Sequence, residues 1–167
     1  MNRIYKKTGS VKIPKARHEE EEFGKAKKGL SICKQCYAFY YKKSWHASVS
    51  KAKGLKLTNF VLCPACKMIK KGLYEGKIII KDVPEKLALE LVNLIKGFSE
   101  RAQKRDILDK VIEIKKVGKG FVVTTTENQL AVKLAKKIKS TFNKVELKIS
   151  YSKEPYDLSE VEVKFTN

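Results

Sequence analysis

The sequence predicts an α+β protein: a small cysteine-bearing β ribbon, then a helix, then a ββαββ antiparallel sandwich. Three observations predict this class: two Cys-x2-Cys pairs in the first half, one periodic apolar helix in the middle, and alternating apolar strands around a second helix. The 167 residues, of which 43% are hydrophobic, are enough for one ordinary domain or two small ones.

The first thirty residues carry basic clusters, several glycines and one acidic run, Glu19–Glu22, without helical or strand periodicity. A segment with so few apolar residues does not bury enough surface to offset the entropy of ordering it. We therefore predict a flexible basic arm over residues 1–30, which could become ordered on a partner.

Two short pairs of cysteines, Cys33-x2-Cys36 and Cys63-x2-Cys66, flank a segment rich in aromatic residues. Each pair has the spacing of a knuckle that offers two thiolates to one tetrahedral ion, and four thiolates suit zinc. Iron or an iron–sulfur centre would use the same ligands, and two redox pairs are a further alternative. Because four thiolates leave no position for a water ligand, the ion is expected to be structural. We assign residues 31–81 to a four-cysteine zinc ribbon that ends in an isoleucine-rich β run.

A helix is predicted over residues 82–105, as a link between the ribbon and the last domain. Asp82 before Pro84, with Glu85 three positions after Asp82, is typical of a helix start. Apolar residues then recur at helical spacing: Leu87, Leu91, Leu94, Ile95 and Phe98.

Residues 106–167 are predicted to form the ββαββ domain. A hairpin turning near Gly118 precedes a helix that starts at Thr126, with Gln129 completing a capping box. Two alternating strands follow, and the helix is expected to cover the sheet through Leu130, Leu134, Ile138 and Phe142. We expect a fragment from about Ile107 to fold alone.

The net charge of +19 is concentrated at one end of the chain, since residues 1–76 hold 18 Lys and Arg against 5 Asp and Glu. Such a basic half favours a polyanionic partner, although a solvated lysine-rich surface is the simpler alternative. No apolar run is long enough for a transmembrane helix and the N-terminus lacks a secretory signal. We expect a cytoplasmic protein that is monomeric when free and does not associate with membranes.

Neither a glycine-rich phosphate loop nor a catalytic triad or catalytic metal motif is recognisable, so we predict no enzymatic activity. Basic residues alternate with aromatic ones between and after the cysteine pairs, a pattern that favours RNA binding by stacking and phosphate contact. His46, within this segment, is expected to face solvent or RNA rather than the metal. Tyr37 and Phe39 are expected in the core. The candidate nucleic-acid-binding residues are Tyr41, Lys42, Lys43, Trp45, Lys51, Lys53, Lys56, Lys67, Lys70 and Lys71.

Three stretches suggest a family. They are Tyr74-Glu75-Gly76-Lys77-Ile78 after the knuckles, the hairpin from Ile112-Glu113-Ile114 to Gly120-Phe121-Val122-Val123-Thr124-Thr125-Thr126, and the helix start at Gln129-Leu130-Ala131. In this succession the chain resembles the N-terminal region of the large-ribosomal-subunit export adaptor family, and small bacterial zinc-ribbon proteins are similar to the same region. The resemblance covers about residues 31–166 and implies binding to the large ribosomal subunit or its rRNA, without catalysis. The family usually carries eight cysteines and this chain has four, so we expect a compact ribosome-associated protein rather than an export adaptor.

Two other functions fit the same features. A DNA-binding or transcription-associated zinc ribbon would use the basic surface, but no helix offers base-reading Asn, Gln or Arg in an obvious register. A protein-interaction adaptor would use the zinc unit as a scaffold only. The basic residues are nearly all lysine, which favours phosphate contact over base readout.

Overall fold

The computed structural model describes residues 30–47, 57–151 and 158–166, and it confirms the α+β class. Within these ranges nine strands and three helices form two mixed sheets. The arm expected over residues 1–30 lies outside the described residues except for Leu30, which is buried at the start of the first strand.

The first sheet has four strands in the order β3-β2-β1-β4. Its elements are β1 (Leu30–Cys33), β2 (Phe39–Tyr41), β3 (Ser44–His46) and β4 (Leu57–Val61), followed by helix α1 (Pro64–Lys70). Strands β1, β2 and β3 pair antiparallel, whereas β4 returns parallel to β1. We call residues 30–47 and 57–74 the cysteine unit.

The second sheet has five strands in the order β6-β7-β5-β9-β8. Its elements are β5 (Gly76–Lys81), α2 (Glu85–Arg105), β6 (Val111–Val117), β7 (Gly120–Thr125), α3 (Asn128–Thr141), β8 (Val145–Tyr151) and β9 (Ser159–Phe165). We call residues 75–151 and 158–166 the sheet unit.

The structure differs from the sequence prediction in the place of β5. The isoleucine-rich run was assigned to the ribbon of residues 31–81, but it forms the middle of the second sheet, antiparallel to β7 and parallel to β9. The sheet is therefore mixed rather than antiparallel, and the predicted ββαββ unit is split into two hairpins on either side of β5. The reason is burial. Ile78 and Ile80 are almost completely buried in the middle of the sheet, and a strand at the edge of a small ribbon would leave these side chains exposed.

Both long helices pack on one face of the five-stranded sheet. The predicted periodicity is confirmed, since Leu91, Ile95 and Phe98 of α2 are buried. The four residues predicted to cover the sheet are buried too: Leu130, Leu134 and Ile138 of α3, and Phe142 at its C-cap. Helix α2 thus belongs to the core and is more than a link. The opposite face is polar and carries the ion pairs Lys77–Glu160 at 3.0 Å and Lys81–Glu162 at 2.8 Å.

The residues predicted to cap the two long helices are not their N-caps. The N-caps are Pro84 in α2 and Glu127 in α3, and neither provides a side-chain hydrogen bond. The Thr126 hydroxyl instead donates to the Leu108 carbonyl at 2.8 Å and accepts the Lys110 N–H at 2.9 Å. Thr126 therefore fixes the segment that joins α2 to β6, and this segment contacts the cysteine cluster.

Candidate metal centre and the surface around it

The four cysteines come together as the spacing predicts. Their sulfur atoms all lie within 4.8 Å of one another, and Cys36 Sγ is 3.6 Å from Cys63 Sγ. These distances are far longer than a disulfide bond, and all four thiols are free. A tetrahedral ion with metal–sulfur bonds of about 2.3 Å would place its ligands about 3.8 Å apart. The cluster of Cys33, Cys36, Cys63 and Cys66 therefore fits a single metal ion.

Local backbone structure delivers each pair of thiols. Cys33 ends β1, and a turn closed by the bond from the Tyr37 N–H to the Cys33 carbonyl, at 2.8 Å, carries Cys36 back towards it. Cys63 is the N-cap of α1 and its Sγ accepts the Cys66 N–H at 3.4 Å. Pro64 at the first helical position suits a helix start because its missing N–H would have no partner there. Sequence analysis predicted only a knuckle here, although this proline was a signal for α1.

Burial and backbone dipoles act on the thiols in opposite directions. Burial raises the pKa of Cys63 and of Cys66. At Cys33 burial also acts upwards, but N–H donors at Cys63, Cys36 and Gln35 outweigh it and lower the pKa to about 6. The Cys63 N–H lies 3.3 Å from Cys33 Sγ. The lowered pKa favours the thiolate form of Cys33, the form that binds a metal.

One residue of the sheet unit reaches the sulfur cluster. Lys110 is only 8% exposed, and its ammonium donates to Cys66 Sγ at 3.3 Å. Burial by itself would lower the pKa of Lys110, but the neighbouring Cys36 and Cys66 outweigh this and raise it. Four thiolates around a divalent ion carry a net charge of −2, and a buried ammonium halves that charge. Lys110 is thus an outer-sphere partner of the kind that orients and tunes metal ligands. Sequence analysis missed it because 44 residues separate it from Cys66.

Apolar side chains from both units cover the cysteines. Ala38 and Ala65 are buried beside them, and Trp45, Leu62, Ile107 and Leu108 pack against the cluster. Trp45 also contacts Tyr40, with ring centroids 5.3 Å apart. The half-buried Trp45 ring thus packs against the cysteine cluster, and its contact with nucleic acid stays a prediction.

The other candidate nucleic-acid-binding residues fall into three groups. Lys42 and Lys43 are exposed at the β2–β3 turn, where the Lys42 Nζ lies 5.4 Å from the centre of the half-buried Tyr41 ring. Lys67, Lys70 and Lys71 are exposed on α1 and at its C-cap. The third group, Lys51, Lys53 and Lys56, lies outside the described residues.

Tyr37 and Phe60 have exposed aromatic rings and were not among the candidates. Tyr37, expected in the core, is 71% exposed, and Phe60 is 70% exposed, whereas Phe39 is buried as expected. The register explains Phe60: Val61 pairs with Cys33, and since neighbouring residues of a strand face opposite sides, Phe60 lies on the opposite side from Cys33. In the sequence, the only indication that Phe60 belongs to the surface near the cysteines was its position three residues before Cys63.

The two units differ in their content of acidic residues more strongly than the two halves of the sequence do. Residues 30–74 contain nine lysines and not one Asp or Glu. The sheet unit contains carboxylates as well as lysines, and two cross-strand ion pairs neutralise part of its open face. The cysteine unit is therefore a positive surface without internal counterions.

Neither a protein-family model nor a curated protein sequence matches this chain. Among the described helices, none combines the length and the apolar character needed to cross a membrane.

Proposed function

We propose that the protein is a non-catalytic zinc protein that binds RNA of the large ribosomal subunit through its cysteine unit. The observation that carries this proposal is the charge of residues 30–74, which hold nine lysines and no carboxylate in the segment that contains the four-thiol cluster. Phosphate groups supply the missing counterions, and their binding releases condensed cations from the nucleic acid.

Zinc is the metal that the donor set favours. Four thiolates in a tetrahedral arrangement suit zinc, and filling every position leaves no site for a substrate or a reactive water. Cys33, Cys36, Cys63 and Cys66 would hold the ion, and its contribution would be folding free energy rather than chemistry. Mass spectrometry of the native protein is expected to find one zinc per chain, and iron in its place would overturn this part of the proposal.

RNA is favoured over duplex DNA by the kind of charge. The four arginines, Arg3, Arg17, Arg101 and Arg105, all lie outside residues 30–74. Arginine reads base edges bidentately, whereas lysine offers a point charge to phosphate. The resemblance to the export adaptor family, carried by Tyr74–Ile78 and the β6–β7 hairpin, supports the large ribosomal subunit as the source of the RNA.

Sedimentation with purified large ribosomal subunits tests the partner. We expect retention at low salt that falls steeply between about 50 and 200 mM salt. The variant K67Q/K70Q/K71Q removes three charges from α1 and should lower the salt slope, by up to about 0.9 for each lost phosphate contact. The control K133Q/K136Q/K137Q removes three exposed lysines from α3 of the sheet unit and should change retention less.

Absence of retention at low salt would contradict the ribosomal proposal. If the protein then bound duplex DNA more tightly than RNA, a DNA-binding ribbon would replace it. Equal effects of the two triple variants would show that net charge matters and that the cysteine unit is not the binding surface.

A further inference from the structure

One face of the four-stranded sheet carries a row of rings. Paired residues present their side chains on the same face, and the register places Ile32 opposite both Phe39 and Phe60, and Phe39 opposite His46. Tyr41, two residues after Phe39, lies on that face as well. We call the side chains of Phe39, Tyr41, His46 and Phe60 the aromatic face. The sulfur cluster lies on the other side of the sheet, with Cys33 and Trp45.

The aromatic face has a buried floor, two half-buried rings and one exposed ring. Leu30 and Phe39 are buried against each other, and Ile32 and Tyr41 pack on them. His46 is held by a bond between its Nε2 and the Tyr41 carbonyl, at 3.2 Å. Phe60, at the edge strand of the sheet, leaves 70% of its surface exposed. The ring of Phe60 is therefore presented by a fixed backbone without being used by the core.

Positive charge surrounds these rings. Lys34 follows β1, and its N–H donates to the Val61 carbonyl at 2.9 Å, next to Phe60. Lys42 and Lys43 form the two-residue turn at the other end of the face, both with positive φ, at 47° and 62°. Such turns favour Asn and Gly, because other side chains are strained in the left-handed region. Two exposed lysines occupy these strained positions, and the Lys42 ammonium lies 5.4 Å from the centre of the Tyr41 ring.

Tyr37, directly after Cys36 in the first knuckle, also occupies a strained backbone position. Its φ is 59°, a conformation that glycine adopts without strain, yet the position carries a ring that is 71% exposed. Backbone strain that is retained at exposed residues is characteristic of functional surfaces. The three strained positions of the cysteine unit thus display one aromatic ring and two cations.

Exposed rings within an acid-free lysine surface select a particular ligand. A duplex hides the faces of its bases. It would therefore contact the lysines through its phosphates and leave the aromatic rings of the protein exposed to water. A single strand offers both phosphates and base faces, and sheet faces with exposed aromatics stack two or three bases in known RNA-binding modules. We propose that the cysteine unit binds unpaired RNA, with a base stacked on Phe60 at the edge of the aromatic face and phosphates held by Lys34, Lys42 and Lys43.

This inference rests on the proposed function and is tested with two defined probes: a labelled oligouridine strand and an RNA hairpin with the same number of phosphates. We expect the full-length protein to bind the strand more tightly than the hairpin. Phe60→Ala and Phe60→Leu should weaken strand binding about 5- to 150-fold with an unchanged salt slope, and Phe60→Tyr should retain it. Because Phe60 is largely exposed, all three variants should keep the metal and the fold.

The control is Tyr151→Ala, which removes a 60%-exposed ring from the sheet unit and should leave both affinities unchanged. Equal affinity for strand and hairpin, with no effect of the Phe60 variants, would overturn the inference while leaving RNA binding by the lysines intact. That result would favour a protein partner for the exposed ring. Binding of neither probe at low salt would overturn the proposed function together with the inference.

Discussion

The two units of this protein hold themselves together by different means. The sheet unit buries twenty hydrophobic residues in one cluster, whereas the buried clusters of the cysteine unit amount to three cysteines, two alanines, one leucine and one phenylalanine. A core that small does not offset the conformational entropy of its own chain, and such domains depend on metals or disulfides. We therefore expect a metal bound by the four thiols to stabilise the cysteine unit as apolar burial stabilises the sheet unit.

Their surfaces differ in the same sense. On the sheet unit, charges are used internally, as in Lys77–Glu160 and Lys81–Glu162. On residues 30–74, nine lysines have no carboxylate within the segment to pair with. The unit that contains the four-thiol cluster is thus also the one with unpaired positive charge and exposed rings.

Metal removal should separate the two units most clearly. Structural zinc contributes about 10–16 kcal/mol of apparent binding free energy in comparable peptides. Chelation, or Cys63→Ser, should therefore abolish amide protection in the cysteine unit while the amides of Leu130–Ile138 in α3 stay protected. Hydrogen exchange with mass spectrometry measures both in one sample. Simultaneous loss of protection in α3, or a disulfide in each cysteine pair, would contradict the comparison.

Truncation tests where the sheet unit begins. Sequence analysis expected a fragment from Ile107 to fold alone, but that fragment lacks β5, the strand on which both hairpins pair, and the core residues of α2. We now expect it to remain unfolded, since it loses a large part of the roughly 5–15 kcal/mol that stabilises a domain. A fragment from Tyr74 should fold cooperatively without metal. Circular dichroism melting curves of the two fragments measure the difference, and a cooperative transition of the shorter one would show that β5 is dispensable.

A single core substitution should affect the sheet unit without touching the metal. Leu134 on α3 is completely buried, and Leu134→Ala should lower the free energy of unfolding by about 2–5 kcal/mol. Leu89→Ala on α2 removes the same atoms from an exposed side chain and should change it by less than about 0.5 kcal/mol. Urea denaturation gives both values, and zinc content should be equal in the two variants. Similar effects at the two positions would mean that α3 does not cover the sheet as described.

Lys110→Met should weaken metal binding by removing a contact between the two units. It removes the ammonium that donates to Cys66 Sγ and leaves the negative metal centre without its buried counter-charge. Loss of an outer-sphere partner typically weakens metal affinity about 10- to 100-fold, which a competing chromogenic chelator measures. Lys77→Met, which breaks the Lys77–Glu160 ion pair on the far face of the sheet, is the matched control and should leave metal affinity unchanged. Equal metal affinities in the two variants would show that Lys110 packs against the cluster without contributing to metal binding.

The sequence was informative where structure is local. The spacing of Cys33, Cys36, Cys63 and Cys66 predicted the sulfur cluster, and the apolar periodicity predicted the buried side of both long helices. It was not informative about strand neighbours, because the β5–β9 pairing joins residues about 80 positions apart and leaves no local pattern. Trp45 and Phe60 show the same limit. Which side of the sheet each ring occupies depends on the register of β3 against β2 and of β4 against β1, and composition does not determine a register.

The smallest expected effect lies at the junction of the units and depends on pH. Burial, and then the negative charges of Glu127 and Asp106, raise the pKa of Asp109 to about 6, although the Lys133 ammonium acts in the opposite direction. A carboxyl group with a raised pKa binds its proton more tightly in the folded state, so its ionisation costs stability as pH rises from the unfolded value to about 6. Asp109→Asn should therefore be more stable than the wild type above pH 6 and equal to it well below the unfolded pKa. Protonation of the thiolates at low pH affects both proteins alike, so the difference between their urea midpoints isolates Asp109. Glu146→Gln, on the exposed edge strand β8, controls for the loss of one negative charge. A constant difference between Asp109→Asn and the wild type across this pH range would show that the carboxyl group of Asp109 is not destabilised where it lies.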